Sequence, residues 1–390
     1  MQEAYIVAYS RTAVAKAKRG GFRFMRSDDL AVSVIQALLK QVPQLDKSLI
    51  DDVIVGCANP EGEQGLQIGR QISLRAIGKE TAGMTVNRYC ASGLETIAIA
   101  TAKIRAGMGE CYIAGGVESM SQIPIEGYKL ALNYEVAKEH PDYIIGMGLT
   151  AEAVSKKYQV SREDQDLFSF QSHQKAASAQ ERGFFEKEIT PIGINERYVE
   201  EDQKKERNFT VNKDEGIRKE TTTAILSTLK PAFAINGKVT AGNASQTSDG
   251  AGFVIVMSAS LVKSLGLNPI GRLVSCSVAG VDPLYMGIGP CAAIPKALKQ
   301  AGKSLSDISL IELNEAFASQ SLAVIREAGL NPDIVNIHGG AIALGHPLGF
   351  SGARLTMTLL NSLSERKQRY GIATACVGGG QGIAAVIEAL

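Results

Sequence analysis

The chain has 390 residues, 45% of them apolar and 21% charged, with a formal net charge of +1. That length holds two or three domains, each with its own core, and the composition is that of a globular protein. A near-zero charge with no polybasic tail argues against nucleic acid as a partner, and no apolar run approaches the ~18 residues of a membrane span.

In chain order, MQEAYIVAYSRTAV reads as a strand and lacks the pattern of a secretory leader. QALLKQ (36–41) ends an amphipathic helix, and SLIDDVIVGC (48–57) leads into a short buried strand. CASGLETIAIATAKIRAG (90–107) is a small-residue turn opening a helix, and ECYIAGG (110–116) is a strand ending in glycines. The same series returns later. KALKQA (296–301) and SLSDISLIEL (304–313) repeat the first helix and strand, FSGARLTMTLLNSLSE (350–365) the second helix, and GIATACVGGG (371–380) the glycine-ended strand. In the second copy the closing strand IAAVIEAL (383–390) follows at once, whereas its counterpart AGFVIVMSA (251–259) comes only after a long interruption.

The repeat therefore locates an insertion at about 117–249. This stretch holds the densest charge, EEDQKKERNFTVNKDEGIRKE (200–220), which reads as a solvated, loop-rich surface. Expected units are a first half (1–118 with 249–268), an inserted unit (119–248) and a second half (269–390). Strand–helix alternation in each half predicts an α/β fold of two duplicated halves with mixed sheets. A pseudo-two-fold would bring the glycine-rich strand ends together, and residues far apart in sequence with them.

Cys90 lies just before a helix, where the dipole favours a thiolate; the alternative is a buried packing cysteine. His346, between Gly345 and Pro347 in a loop of small residues, suits a general base that takes the Cys90 proton and polarises a thioester oxygen. Cys376 ends a buried strand before Gly378, Gly379 and Gly380. It reads as strand-end packing, or as an acid/base thiol beside a Gly378 amide that lines an oxyanion hole. Asn314 could hold a water or a carbonyl oxygen, or cap the next helix. Cys57, Cys111, Cys276 and Cys291 read as packing residues, without the short spacings of disulfides or zinc, so no metal and a reduced, cytoplasmic setting are expected. Neither a G-x-G-x-x-G turn, a P-loop nor a G-x-S-x-G elbow occurs where its chemistry needs it.

Taken together, NRYCASGL (87–94), LNEAFA (313–318), NIHGGAIALGHPLGFSG (336–352) and CVGGGQG (376–382) resemble the signatures of the thiolase family. VTAGNASQTSDGAG (239–252) and the opening IVAYSRTAVAKAKRG are also similar to family segments. The resemblance implies a layered αβαβα fold with an inserted loop domain that holds coenzyme A. It also implies acyl transfer between a 3-ketoacyl-CoA and CoA, with CoA as a substrate and no permanently bound cofactor. Carried over by motif, Cys90 accepts the acyl group, His346 activates it, and Cys376 moves the proton of the acetyl carbanion. His346 with an Asn314-held water, and the amides of Cys90 and Gly378, would form two oxyanion holes. Met147 and Ser245 would line the pantetheine path, with Arg218 toward the nucleotide phosphates.

The wording is more similar to the degradative, β-oxidation branch than to the biosynthetic, acetoacetyl-CoA-forming one. A non-catalytic acyl-CoA-binding homologue is the remaining alternative. A homodimer or homotetramer is implied, with a β-oxidation multienzyme as a possible partner. His338 stands where many members have asparagine, and Phe350 where the residue is more often small.

Overall fold

Every residue of the strand CYIAGGVES is buried, and the reason is the fold: helices cover both faces of the sheet to which it belongs. A computed structural model of the chain describes residues 2–390. Its strands are β1 (Ala4–Arg11), β2 (Ala15–Lys16), β3 (Asp52–Gly56), β4 (Ala82–Val86), β5 (Cys111–Ser119), β6 (Ile192–Glu200), β7 (Gln203–Val211), β8 (Ser248–Ser258), β9 (Gly271–Gly280), β10 (Leu310–Leu313), β11 (Tyr370–Val377) and β12 (Gln381–Ala389). The main sheet runs β10-β11-β12-β9-β1-β8-β5-β3-β4, with β2 on β8. The two halves are continuous, which separate sheets would not be, but only through the single register pair Ile6–Gly271.

Side-chain alternation sorts the strands into layers. On β5, Cys111 and Ile113 face an outer core with the helices Ser27–Lys40 and Ile68–Ala76, while Tyr112 and Ala114 face a central core. On β12, Ile383, Ala385 and Ile387 face the same central core, and Ala384 and Val386 face a second outer one with the helices Gly289–Ala301 and Ala318–Glu327. The centre is the helix pair Ser92–Arg105 and Leu348–Glu365, so the order is helix, sheet, helices, sheet, helix. These two helices meet backbone to backbone: a Cβ on Gly93 would lie 2.7 Å from the Ala353 nitrogen. Duplication extends to the edge strand. β3 pairs with β4 in parallel, and its counterpart β10 makes a parallel bridge from Ile311 to Val335.

Between β5 and β8 the chain forms helices including Met147–Lys157 and Arg162–Glu181, the latter capped by the Ser161 hydroxyl, which accepts from Asp164 N at 2.9 Å. The charge run expected to be loop-rich is instead largely the exposed β6–β7 hairpin, paired from Ile192–Val211 to Glu200–Gln203. Alternating charges on a two-stranded ribbon allow cross-strand pairing without a core. Buried Arg11 ties this region to β1 by a bidentate pair with Asp214 (2.8 and 3.0 Å) and a 2.8 Å bond to Glu188. Among the described residues no helix is long and apolar enough to cross a membrane, and no group of three or more His, Cys, Asp or Glu is placed to hold a metal.

Candidate active site

A tight turn presents Cys90. Asn87 Oδ1 accepts from Tyr89 N at 2.8 Å, while Ser92 Oγ accepts from Arg88 N at 2.9 Å and donates to Tyr89 O at 2.7 Å. These bonds hold Tyr89 at φ 42°, a left-handed conformation that a bulky residue adopts only when its surroundings impose it. Cys90 follows in the single turn Tyr89–Ala91, ahead of the helix Ser92–Arg105. The amides of Gly378, from the other half, and of Cys90 itself favour its thiolate. The dipole was expected to favour a thiolate, yet burial outweighs those donors and, with Glu118 nearby, pushes the thiol up to about 11. The resting thiol is therefore protonated, and a base would be needed to make it a nucleophile.

His346 is buried, and its N–H donates to Gln246 O at 3.2 Å and Ser248 Oγ at 3.3 Å. Gly345, at φ 106°, allows the chain to turn into it. The Ser351 hydroxyl donates to Pro347 O at 2.8 Å, so at 2.6 Å from His346 Nδ1 its oxygen must accept from the ring. That fixes the proton on Nδ1 and leaves a lone pair on Nε2, to which Asn314 Nδ2 donates at 3.2 Å. Burial first, and then Arg354, hold the imidazole down to about 3, so it is neutral near pH 7. Capping does not explain Asn314: the following helix, Ala318–Glu327, starts after Phe317 with no side-chain cap. Asn314 Oδ1 has no hydrogen-bond partner among the described residues.

Cys376 is buried in a pocket of apolar side chains that includes Ala316, Phe317, Met286 and Met147. Burial, and then the neighbouring Cys90, push its thiol far up. A Cβ on Gly378 would stand 3.5 Å from Met147 Sδ and 3.7 Å from Tyr89 Cδ2, which puts Met147 beside the Cys90 turn. Ser245 is half-buried, and its N–H donates to Ala316 O at 2.9 Å, alongside the loop that carries Asn314. Arg218 is not brought into this group; its side chain is exposed and its N–H donates to His173 Nδ1 at 3.2 Å.

Two partners were missed in the sequence. Ser351 sits four residues beyond Pro347 on a helix face that looks like ordinary core. Glu118 closes β5 and accepts from Ala58 N, Asn59 N, Gln64 Nε2 and Gly349 N at 2.8 to 3.2 Å, joining the Cys90 half to the His346 loop. A carboxylate one residue from the end of an otherwise largely apolar strand was the available signal. Phe350, at a position more often small, is buried against Gly250 and Gly252 of β8 and fills core.

A protonated thiol whose turn lies against Gly378, a second thiol and a neutral buried imidazole are the equipment of acyl transfer through cysteine. The family described as Thiolase, N-terminal domain matches residues 4–260, and Thiolase, C-terminal domain matches 267–389. The chain belongs to the thiolase family and is an acyltransferase. It is 50% identical over 390 residues to a 3-ketoacyl-CoA thiolase of Bacillus subtilis (strain 168), covering 100% of each chain. A 3-oxoadipyl-CoA/3-oxo-5,6-dehydrosuberyl-CoA thiolase of Escherichia coli (strain K12) is 42% identical, again over 100% of both. The crystal structure of the Bacillus anthracis acetyl-CoA acetyltransferase matches with a TM-score of 0.90 and 39% identity, covering 100% of this chain and 99% of the other.

Proposed function

We propose that the chain is a 3-ketoacyl-CoA thiolase of fatty-acid β-oxidation, with Cys90 as nucleophile, His346 as its base and Cys376 as the second acid/base. The observation that carries this is the closeness of the Cys90 turn to Gly378 and, where Gly93 meets Gly349, to the loop of His346, whose Nε2 lone pair faces Asn314 Nδ2 at 3.2 Å. His346 takes the Cys90 proton, and the sulfur attacks the keto carbon of the substrate. The bond between the keto carbon and the adjoining carbon breaks, and Cys376 protonates the departing acetyl-CoA carbanion. Coenzyme A, a substrate and not a resident cofactor, gives its thiol proton to Cys376 and attacks the acyl-Cys90 thioester. The shortened acyl-CoA leaves, and Cys90 recovers its proton from His346. The amides of Cys90 and Gly378 hold one developing oxyanion. His346, once protonated, and a water on Asn314 hold the other.

Residues 119–248 form, in this reading, the unit that receives CoA, with Met147 and Ser245 on the pantetheine path. Exposed Arg218 reaches only the nucleotide end. β4 ends the sheet with partly exposed residues, which suits pairing with a second copy in a homodimer or homotetramer. Six unpaired cysteines suit a reducing cytoplasm. A β-oxidation multienzyme would be the natural further partner.

The test compares CoA-dependent cleavage of acetoacetyl-CoA and of a medium-chain 3-ketoacyl-CoA, followed by loss of enolate absorbance, in the wild type and in Cys90→Ala. Faster medium-chain cleavage, abolished in the variant while CoA still binds, is the expected result. Cleavage of the four-carbon substrate alone would give the chain the acetyltransferase activity named for its structural neighbour. An acyl-enzyme that still forms on Cys90→Ala would remove the nucleophile assignment.

A further inference from the structure

The amide of Gly378 sits on a turn with little shape of its own. β11 ends at Val377 and β12 begins at Gln381, these two residues pair across the hairpin, and the three between them are all glycine. Gly379 and Gly380 stand at φ 77° and 81°, and glycine loses more freedom on ordering than any other residue. Gly380 is held from its own half, its carbonyl accepting from Val281 N at 2.7 Å. A Cβ on Gly379 would meet nothing within 4 Å, so packing does not fix the tip. An oxyanion hole that takes one amide from this turn and one from Cys90 needs both donors about 2.7–3.1 Å from a single point. Something must therefore hold the hairpin against the other half.

Among the described residues, one side-chain hydrogen bond crosses from the Cys90 turn to this hairpin. Arg88 Nη1 donates to Gln381 Oε1 at 3.0 Å, and Gln381 Nε2 donates to Gly378 O at 3.5 Å. The rest of the guanidinium is engaged on its own half, where Nε and Nη2 donate to the Glu95 carboxylate at 2.8 and 3.3 Å. Glu95 lies in the first turn of the helix Ser92–Arg105, where the dipole favours a carboxylate, so the fork is anchored to the helix that Cys90 precedes. The backbone of Arg88 is tied into the same turn, its N–H donating to Ser92 Oγ at 2.9 Å and its carbonyl accepting from Ala91 N at 3.0 Å. An ion pair whose side chains are 28% and 19% exposed adds little stability. Its consequence is geometric: with two arms of a rigid planar group on Glu95, the third is aimed at Gln381.

We propose that Arg88 is a positioning residue for acyl transfer, holding Gln381 and through it the Gly378 hairpin in register with the Cys90 amide. This rests on Cys90 being the nucleophile and on those two amides forming its oxyanion hole. When the Cys90 sulfur bonds to the carbonyl carbon, the π pair of the carbonyl moves onto its oxygen, and both amides donate to that oxygen. The pair returns to re-form the carbonyl as the leaving group departs. Without Arg88 the glycine turn drifts, and one of the two donors is out of place when the charge develops.

The experiment compares two reactions of the full chain: CoA-dependent cleavage of acetoacetyl-CoA, and alkylation of Cys90 by iodoacetamide across pH, located by peptide mass. Alkylation displaces iodide from carbon and forms no oxyanion, so it reads the thiol without the hole. The variants are Arg88→Met, Arg88→Lys, Gln381→Met and the double variant Arg88→Met/Gln381→Met. Gln381→Met leaves the Arg88–Glu95 pair intact and serves if Arg88→Met does not fold. Each single variant is expected to lose roughly tenfold or more in kcat with KM held, part of the ~10²–10³-fold that an oxyanion-hole donor is worth. Lysine cannot make the fork, so Arg88→Lys should lose as well. The double variant should lose little more than either methionine variant, because both break one link. Alkylation rate and its pH profile should stay within about twofold of wild type. Thiolysis within twofold of wild type in Arg88→Met or Gln381→Met, additive losses, or alkylation that falls in step with kcat would overturn the proposal, the last because Arg88 would then merely support the Cys90 turn. Undiminished thiolysis after full alkylation of Cys90 would instead sink the reading on which it rests.

Discussion

Replacing Ser351 with alanine tests whether one hydroxyl sets the state of His346, the proposed base. Ser351 Oγ lies 2.6 Å from His346 Nδ1 and spends its own proton on Pro347 O at 2.8 Å. In Ser351→Ala the Nδ1–H is left buried without an acceptor, which costs about 1–3 kcal/mol. The ring can escape that cost by moving its proton to Nε2, but it then loses the lone pair that, in the proposed mechanism, takes the Cys90 proton. By either route the competent ring becomes rarer by that energy, so kcat should fall roughly 5- to 150-fold. KM should hold, because Ser351 is buried and its hydrogen bonds go to the ring and to Pro347. Steady-state thiolysis with circular dichroism as a check on folding gives the answer. A folded variant with kcat within twofold of wild type would refute the tautomer assignment, and so would a loss carried wholly by KM.

Gly378→Ala separates the site from the fold. The added methyl finds Met147 Sδ and Tyr89 Cδ2 at 3.5 and 3.7 Å, ordinary contact distances. The melting temperature should stay within a few degrees while acyl transfer falls at least tenfold as the methyl fills space beside Cys90; undiminished turnover would place substrate elsewhere. His338→Asn probes acid stability. His338 is buried against Phe184, with Arg182 Nη2 3.0 Å from Nδ1 and Glu365 Oε2 3.3 Å from Nε2, and burial with Arg182 holds it down to about 3. Below pH 6.5 the unfolded chain takes a proton that the native ring refuses, so wild-type stability falls as pH drops from 6.5 toward 3. By pH 5 that amounts to about 2 kcal/mol. Between pH 8 and pH 5, urea melts of His338→Asn should lose about 2 kcal/mol less than wild type; an equal loss would mean that His338 is protonated in the native state.

What could be read from the sequence was whatever repeats or stands alone. QALLKQ and KALKQA, or CASGLETIAIA and FSGARLTMTLL, betray one unit used twice because each copy must bury the same faces. Cys90, His346 and Cys376 stood out because little else reactive shares their glycine-rich segments. Residues that act through a partner gave no such signal. Ser351 reads as an ordinary position of a helix until the fold buries it against His346. Local rules also failed where burial competes with them. A helix start should have made Cys90 acidic and Asn314 a cap, but desolvation raises the thiol, and the asparagine turns to His346. Phe350, at a position more often small, needs room that Gly250 and Gly252 make from about a hundred positions away.

The duplication also explains why the proposed nucleophile and base occur on different copies. Each half opens its central helix with a small-residue turn, and the two helices pack so closely at Gly93 and Ala353 that their starts lie together. Each turn therefore offers one reactive side chain, Cys90 ahead of Ser92–Arg105 and His346 ahead of Leu348–Glu365. Glu118 then holds these two starts in register, taking Ala58 N from one half and Gly349 N from the other at 2.8 Å each. Any change that loosens this central contact separates thiol from imidazole before it unfolds either half. Activity should thus be lost at lower denaturant than the helical signal, because the chemistry needs the halves together and the secondary structure does not.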